Sequence, residues 1–222
     1  MKESELLDKE EQKRQNARTF INAAREMIDS EGLENISVRK IAQIAGFHNS
    51  TIYLYFEDLD QLAMLASMKY FREYSQSLEA QSRLNLSPTQ RFLSIWELFA
   101  DTMLKEPHVF YNFFFGKRSD NLPEIMNRYY DIFPEERDQF SEEIESMYFG
   151  KNITDRSLKL LMPMLREDNL VTEETLSMQN ELIVCYCKYK LEQKCKDSGL
   201  NNQQLREDIM KSIAFIAGIR QK

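Results

Sequence analysis

The stretch SVRKIAQIAGFHNSTIYLYF, residues 37–56, sets two short helical patterns around one glycine, and this spacing constrains the fold more than any other feature. Val38, Ile41, Ala42 and Ala45 fall at i, i+3, i+4 and i+7, one apolar stripe of a helix. Ser37 stands just ahead of the stripe, where a hydroxyl accepts a bond from an orphan N–H. Gly46 follows it, where a left-handed C-terminal residue needs no Cβ. A second helix is predicted from about Asn49, with Ile52 and Phe56 inward and His48, Asn49, Ser50 and Thr51 facing out at its start. A two-helix corner with polar side chains there has the shape that enters a DNA major groove.

The 222 residues suffice for a small helical domain joined to a larger one. With six Gly, five Pro and no strand-like alternation between turn dipeptides, the expected class is all-α. The net charge of −7 argues against a protein that coats nucleic acid indiscriminately, but the charge is uneven. Between residues 12 and 56, Lys13, Arg14, Arg18, Arg25, Arg39 and Lys40 face Glu26, Asp29, Glu31 and Glu34, leaving a net +2. The acid therefore lies outside the corner.

No signal-peptide pattern opens the sequence, and no apolar run approaches the roughly 18 residues of a membrane span. A cytoplasmic protein with no membrane association is expected. Cys185, Cys187 and Cys195 fall on one predicted helix with no histidine near, which points to reduced thiols rather than a zinc site. The two histidines, His48 and His108, are far apart in sequence. No Glu-x-x-His pair, phosphate loop or nucleophile beside a base occurs, so neither an enzyme nor a cofactor is expected.

The predicted organisation is a charged arm or early helical turn over 1–12, a corner domain over 13–60 and a larger helical domain over 61–222. A helix over about 13–31 turns Phe20, Ala23, Ala24, Met27 and Ile28 inward and closes at Gly32. Asp58 is placed to cap one long helix to about residue 82. Ser87-Pro88-Thr89-Gln90 is a capping box with proline at the first helical position. Further helices are predicted over Pro107–Phe115, Leu122–Phe133, Pro134–Phe149, Ile153–Arg166 (irregular at Pro163), Thr172–Lys196 and Asn202–Arg220.

With the first helix included, residues 14–62 resemble the DNA-binding domain of the TetR family of bacterial repressors. The Phe20-to-Gly32 helix, Ser37 to Ala42, Ala45-Gly46, Thr51-Ile52-Tyr53, Phe56 and Leu62 carry the resemblance. It implies a homodimer that places its second corner helices in successive major grooves of a palindromic double-stranded operator. It also implies a C-terminal domain that binds a small-molecule effector and alters the spacing of the corners. Arg39 matches a base- or phosphate-contacting position, Asn49, Ser50 and Thr51 the groove-facing start, and Tyr53 and Tyr55 phosphate contacts. Those side chains suit the roles, since Asn pairs with adenine, Arg with guanine and hydroxyls with phosphate.

His48 departs from the pattern, standing where the family usually has a serine-like cap, and is kept among the DNA-facing candidates. Phe56-Glu57-Asp58-Leu59 departs further, because the family usually has a phosphate-binding lysine at the fourth position. The alternative reading follows from it: a helical interaction or ligand-binding protein that keeps the corner without an operator.

Fourteen of the 25 aromatics lie between Phe92 and Phe149, dense enough for a core or for the wall of a pocket. Trp96, Phe99, Phe110, Phe114, Tyr129 and Tyr130 are the candidates to line a site for an apolar or aromatic effector. Glu97 and Asp101, one turn apart, suit a cationic ligand or a solvated face, and Glu142-Glu143-Glu145 reads as a solvated acidic face. The last two helices are the candidate dimer contact, through Ile183, Tyr186, Ile213, Ala214 and Ala217.

Overall fold

The computed structural model describes residues 2–138, 145, 150–167 and 171–219, and all regular elements among them are helical. The chain divides into two compact units, Met1–Phe71 with Pro123–Gln139, and Arg72–Leu122 with Phe140–Lys222.

The first unit is built on α1 (Lys2–Glu31), which runs straight through the charged stretch expected to be an arm or early turn. It packs on α2 (Val38–Ala45) and α3 (Leu59–Ala66). Phe20, Ala24, Met27, Ile41, Ile52, Phe56 and Leu62 are buried between them. The boundaries of α2 follow from chemistry that the sequence displays. The Ser37 hydroxyl accepts from the Lys40 N–H at 3.3 Å, and Gly46 ends the helix at φ 75°. There the Phe47 N–H donates to the Ala42 carbonyl and the Gly46 N–H to that of Gln43.

The predicted long helix from Asp58 is interrupted. α3 ends at Ala66, and α4 (Met68–Ser82) begins beyond Ser67. The buried Ser67 hydroxyl donates to the Ala63 carbonyl at 2.8 Å, a back-bond that competes with the helical ladder and bends it.

A second chain segment completes the first unit. α7 (Leu122–Ile132), from Pro123 onward, and the turn after it supply its remaining wall. Arg18 Nε donates to the Ile132 carbonyl at 2.6 Å, and Arg25 lies 4.7 Å from the Phe133 ring centre. Arg128 donates to the Tyr55 carbonyl and sits 5.8 Å from the Phe56 ring centre.

The second unit contains α5 (Pro88–Lys105), α6 (Pro107–Phe115), α8 (Ile153–Leu161), α9 (Leu176–Lys196) and α10 (Asn202–Ile216). α5 packs on α6, α8 and α10, while α9 packs on α6, α8 and α10. The Ser87 capping box forms in both directions. Pro163 falls in a 3-10 turn over Met162–Arg166, the irregularity expected of it. α9 starts at Leu176 rather than Thr172, because Thr172 and Thr175 bond each other's backbone N–H in a preceding turn. The helix predicted over Pro134–Phe149 shows a 3-10 turn at Pro134–Glu136, and 139–144 and 146–149 lie outside the described residues, as does Arg220.

Candidate functional site

The second helix of the corner is short. Residues Asn49–Leu54 form a 3-10 helix, consistent with the adjacent β-branched Thr51 and Ile52 and aromatic Tyr53, which are poor α-helix formers. His48 caps it: Nδ1 accepts from the Ser50 N–H at 3.3 Å and lies 2.8 Å from the Ser50 hydroxyl. In the neutral ring that acceptor role puts the proton on Nε2.

Ile52 and Phe56 are buried, which turns the rest of the element outward. Arg39, His48, Asn49, Ser50 and Tyr53 are exposed, and Thr51 is half-buried. Tyr55 is placed differently from these. Its ring lies 5.7 Å from that of Phe20, and its hydroxyl accepts from Asn16 Nδ2 at 2.8 Å, so it ties the corner to α1. Ile44 and Leu54, not singled out from the sequence, are exposed beside the polar group, Leu54 at 70%.

At the departure from the family pattern the acids have structural work. Asp58 Oδ1 accepts from the Gln61 N–H at 2.9 Å as the cap of α3. The Glu57 N–H donates to Gln61 Oε1 at 3.0 Å. Leu59, the first residue of α3, is half-buried.

In the second unit, Tyr74, Leu78, Ile95, Trp96, Phe99, Phe114, Ile153, Arg156, Ser157 and Leu160 line a cavity. It holds about 340 Å³ free of atoms, part of it open to solvent, of which about 20 Å³ admits the centre of a water-sized sphere. Phe110 stands behind this wall, 5.8 Å from the rings of both Tyr74 and Phe114. Four of the six aromatic candidates thus gather here. Tyr129 and Tyr130 do not: they belong to the first unit, where Arg25 and Tyr129 are hydrogen-bonded and the Tyr129 hydroxyl donates to Glu136.

Polar groups in the cavity wall escaped the sequence reading, because nothing local marks them. Arg156 is buried, with its guanidinium 5.6 Å from the Phe114 ring centre and Nε donating to the Gly150 carbonyl at 3.4 Å. Trp96 Nε1 and Ser157 Oγ are buried without a hydrogen-bond partner. Burial pushes the Tyr74 hydroxyl well above its ordinary pKa, an effect that the charge of Arg156 opposes.

Glu97 and Asp101 do not await a cation. Both pair with Arg206 of α10, Asp101 at 2.9 Å. Glu145 is exposed, while Glu142 and Glu143 lie outside the described residues. Cys187 is buried and its thiol pKa is raised by burial, whereas Cys185 is exposed.

The interface candidates need correction. Ile183, Ile213, Ala214 and Ala217 are buried within their own chain, where α9 packs on α8 and α10, and α10 packs on α5. Ile183, Ile213 and Ala217 therefore offer no surface on the single chain. Tyr186 is half-buried. The outer face of α9 instead carries Met178, Leu182, Cys185 and Tyr189, spaced at i, i+4, i+7 and i+11, all exposed. On α10, Phe215 is 84% exposed.

Residues 20–64 match the bacterial regulatory proteins of the tetR family. No curated protein matches the chain. The fold is similar to that of Thermus thermophilus FadR, a TetR-family transcriptional repressor solved with lauroyl-CoA. That match has a TM-score of 0.59 at 11% identity, covering 93% of this chain and 97% of that one. RolR in complex with resorcinol aligns with a TM-score of 0.58 at 14% identity over 94% of each chain. Bacillus subtilis FadR with stearoyl-CoA aligns at 0.54 and 14% identity, covering 92% of this chain and 99% of that one. Residues 20–64 are thus an N-terminal helix-turn-helix domain of the tetR family, on a chain that has the fold of TetR-family transcription regulators.

Proposed function

We propose that the protein is a ligand-responsive repressor that binds a palindromic operator as a homodimer. The observation that carries this reading is the outward group Arg39, Asn49, Ser50 and Tyr53, held on a corner whose inner face is closed by Phe20, Ile52 and Phe56. His48 caps the element and so sets its start, while its Nε2–H suits a phosphate oxygen. Thr51 completes the group at its edge, and Tyr55 acts on DNA only through its hold on α1.

A gel shift and footprint on DNA upstream of the gene test this. Asn49→Ala should cost roughly 1–3 kcal/mol at one base position and relax preference there, leaving the other positions unchanged. Unaltered sequence preference would remove Asn49 from the readout. A second reading has its own support: Leu54 and Ile44 expose apolar surface on the corner, and Leu59 replaces the usual lysine. On that reading the corner grips a protein, and no footprint appears.

The homodimer is proposed through the exposed stripe Met178, Leu182, Cys185 and Tyr189 with Phe215. Leu182→Glu combined with Phe215→Ser should yield monomers in sedimentation with helical content intact, and a retained dimer would move the contact elsewhere. The effector is proposed to be an apolar or aromatic small molecule held in the second unit, in line with the ligands of FadR and RolR. α4 is suited to carry its effect, since its first residues, Met68 to Phe71, belong to the first unit while Tyr74 and Leu78 line the cavity.

A further inference from the structure

The 3-10 helix Asn49–Leu54 ends at Tyr55, the first residue beyond it, and the end of a helix leaves backbone groups that need partners from outside. Tyr55 is held at three points. Its N–H donates to the Ile52 carbonyl at 3.1 Å, its hydroxyl accepts from Asn16 Nδ2 at 2.8 Å, and its carbonyl accepts from the Arg128 guanidinium. The first hold lies within the corner and the second comes from α1. The third comes from α7, 73 residues further along the chain. Arg128 is half-buried, and its guanidinium also lies 5.8 Å from the Phe56 ring centre, a second contact that fixes where the charged head sits.

The hold of Arg128 matters because of what the element carries. Asn49, Ser50 and Tyr53 face outward from it, while Ile52 and Phe56 are buried. At about 2 Å of rise per residue, Asn49 lies roughly 12 Å from the end that Arg128 holds. A tilt of about 10° at that end moves Asn49 by about 2 Å, whereas a binding constellation must be held within about 0.5 Å. Asn16 grips the tip of a side chain that turns about its own bonds, but Arg128 grips the backbone. We propose that Arg128 is a positioning residue for DNA readout: from α7 it fixes the tilt of Asn49–Leu54 without itself touching DNA. The proposal rests on the reading of the corner as the DNA-contacting part, and it adds a residue outside the tetR-family match over 20–64.

Arg128→Met keeps an apolar stem and removes every donor, while Arg128→Lys restores a charge and a donor at similar reach. Two measurements on the full-length protein separate positioning from other roles. In hydrogen exchange without DNA, Arg128→Met should speed exchange about tenfold or more over residues 49–56 and less than about threefold in α1 and α2. Arg128→Lys should fall between it and the parent. DNA binding is measured on the upstream fragment found by footprinting and on random-sequence DNA of equal length. Arg128→Met should weaken the first about tenfold or more and the second about twofold at most. A residue that met phosphate would weaken both alike and lower the salt slope by about 0.9 per subunit. Equal weakening, a lower salt slope, unchanged exchange over 49–56, or faster exchange spread through α1 and α2 overturns the proposal. If Arg128→Met does not fold by circular dichroism, Arg128→Lys decides on the same measurements, with an operator effect of about threefold expected. No footprint on any upstream DNA removes the DNA reading and the proposal with it, whereas a footprint with unchanged exchange removes the proposal alone.

Discussion

Buried polar atoms without a hydrogen-bond partner occur in both units, Arg25 Nε in the first and Trp96 Nε1 and Ser157 Oγ in the second. Those two of the second unit, however, belong to residues that line a cavity. In the first, long side chains reach across the chain to carbonyls and rings: Arg18 to the Ile132 carbonyl, Arg128 to the Tyr55 carbonyl, Asn16 to the Tyr55 hydroxyl. In the second, an indole N–H and a hydroxyl are buried in a cavity wall with no partner. Cross-links of the first kind hold a surface in one shape. Open valences of the second kind weaken the free protein and reward whatever occupies them.

The strongest challenge to this comparison is Phe20→Ala. Phe20 is fully buried and touches the rings of Phe47, Tyr55 and Phe56, so the change should cost about 3–5 kcal/mol in chemical denaturation and abolish DNA binding. A loss below about 1 kcal/mol would mean that the corner is not held from α1. Ser157→Ala should act in the other direction. Removing an unpaired buried hydroxyl should stabilise the protein by about 1 kcal/mol, read by chemical denaturation. Destabilisation would show that the hydroxyl is already satisfied.

The smallest expected change in stability, a few tenths of a kcal/mol, belongs to Leu59→Lys, because the half-buried site lets a lysine stem lie along the surface with its charge outward. Its effect on DNA binding sharpens the comparison more. The slope of log K against log salt should steepen by ~0.9 for each subunit that gains a phosphate contact. An unchanged slope in a folded variant would place residue 59 away from the backbone.

The corner was legible because its determinants are local. Ser37 caps a residue three positions on, and Gly46 ends its own helix, so each signal lies within a turn of what it controls. The cap made by His48 is equally local, although the sequence left its role open. The cavity was only half legible. Aromatic density marked Trp96, Phe99, Phe110 and Phe114, but Arg156 and Ser157 join them from about 40 to 60 residues away with no pattern of their own. Tyr129 and Tyr130 share the density yet belong to the other unit, since composition does not say where a helix docks. The interface candidates failed on the same ground. Apolar residues occur on both sides of α9, and the sequence does not tell which side its own chain covers.

The division of the first unit between two stretches of chain has a consequence during synthesis. Residues 72–122 must be made between its first part and its second. At roughly 5–20 residues per second that interval lasts about 3–10 s. Throughout it, Arg18 and Arg25 lack Phe133, and Tyr55 and Phe56 lack Arg128. The nascent corner therefore reaches its final form only once the chain has passed through residues 72–122, the first stretch of the second unit.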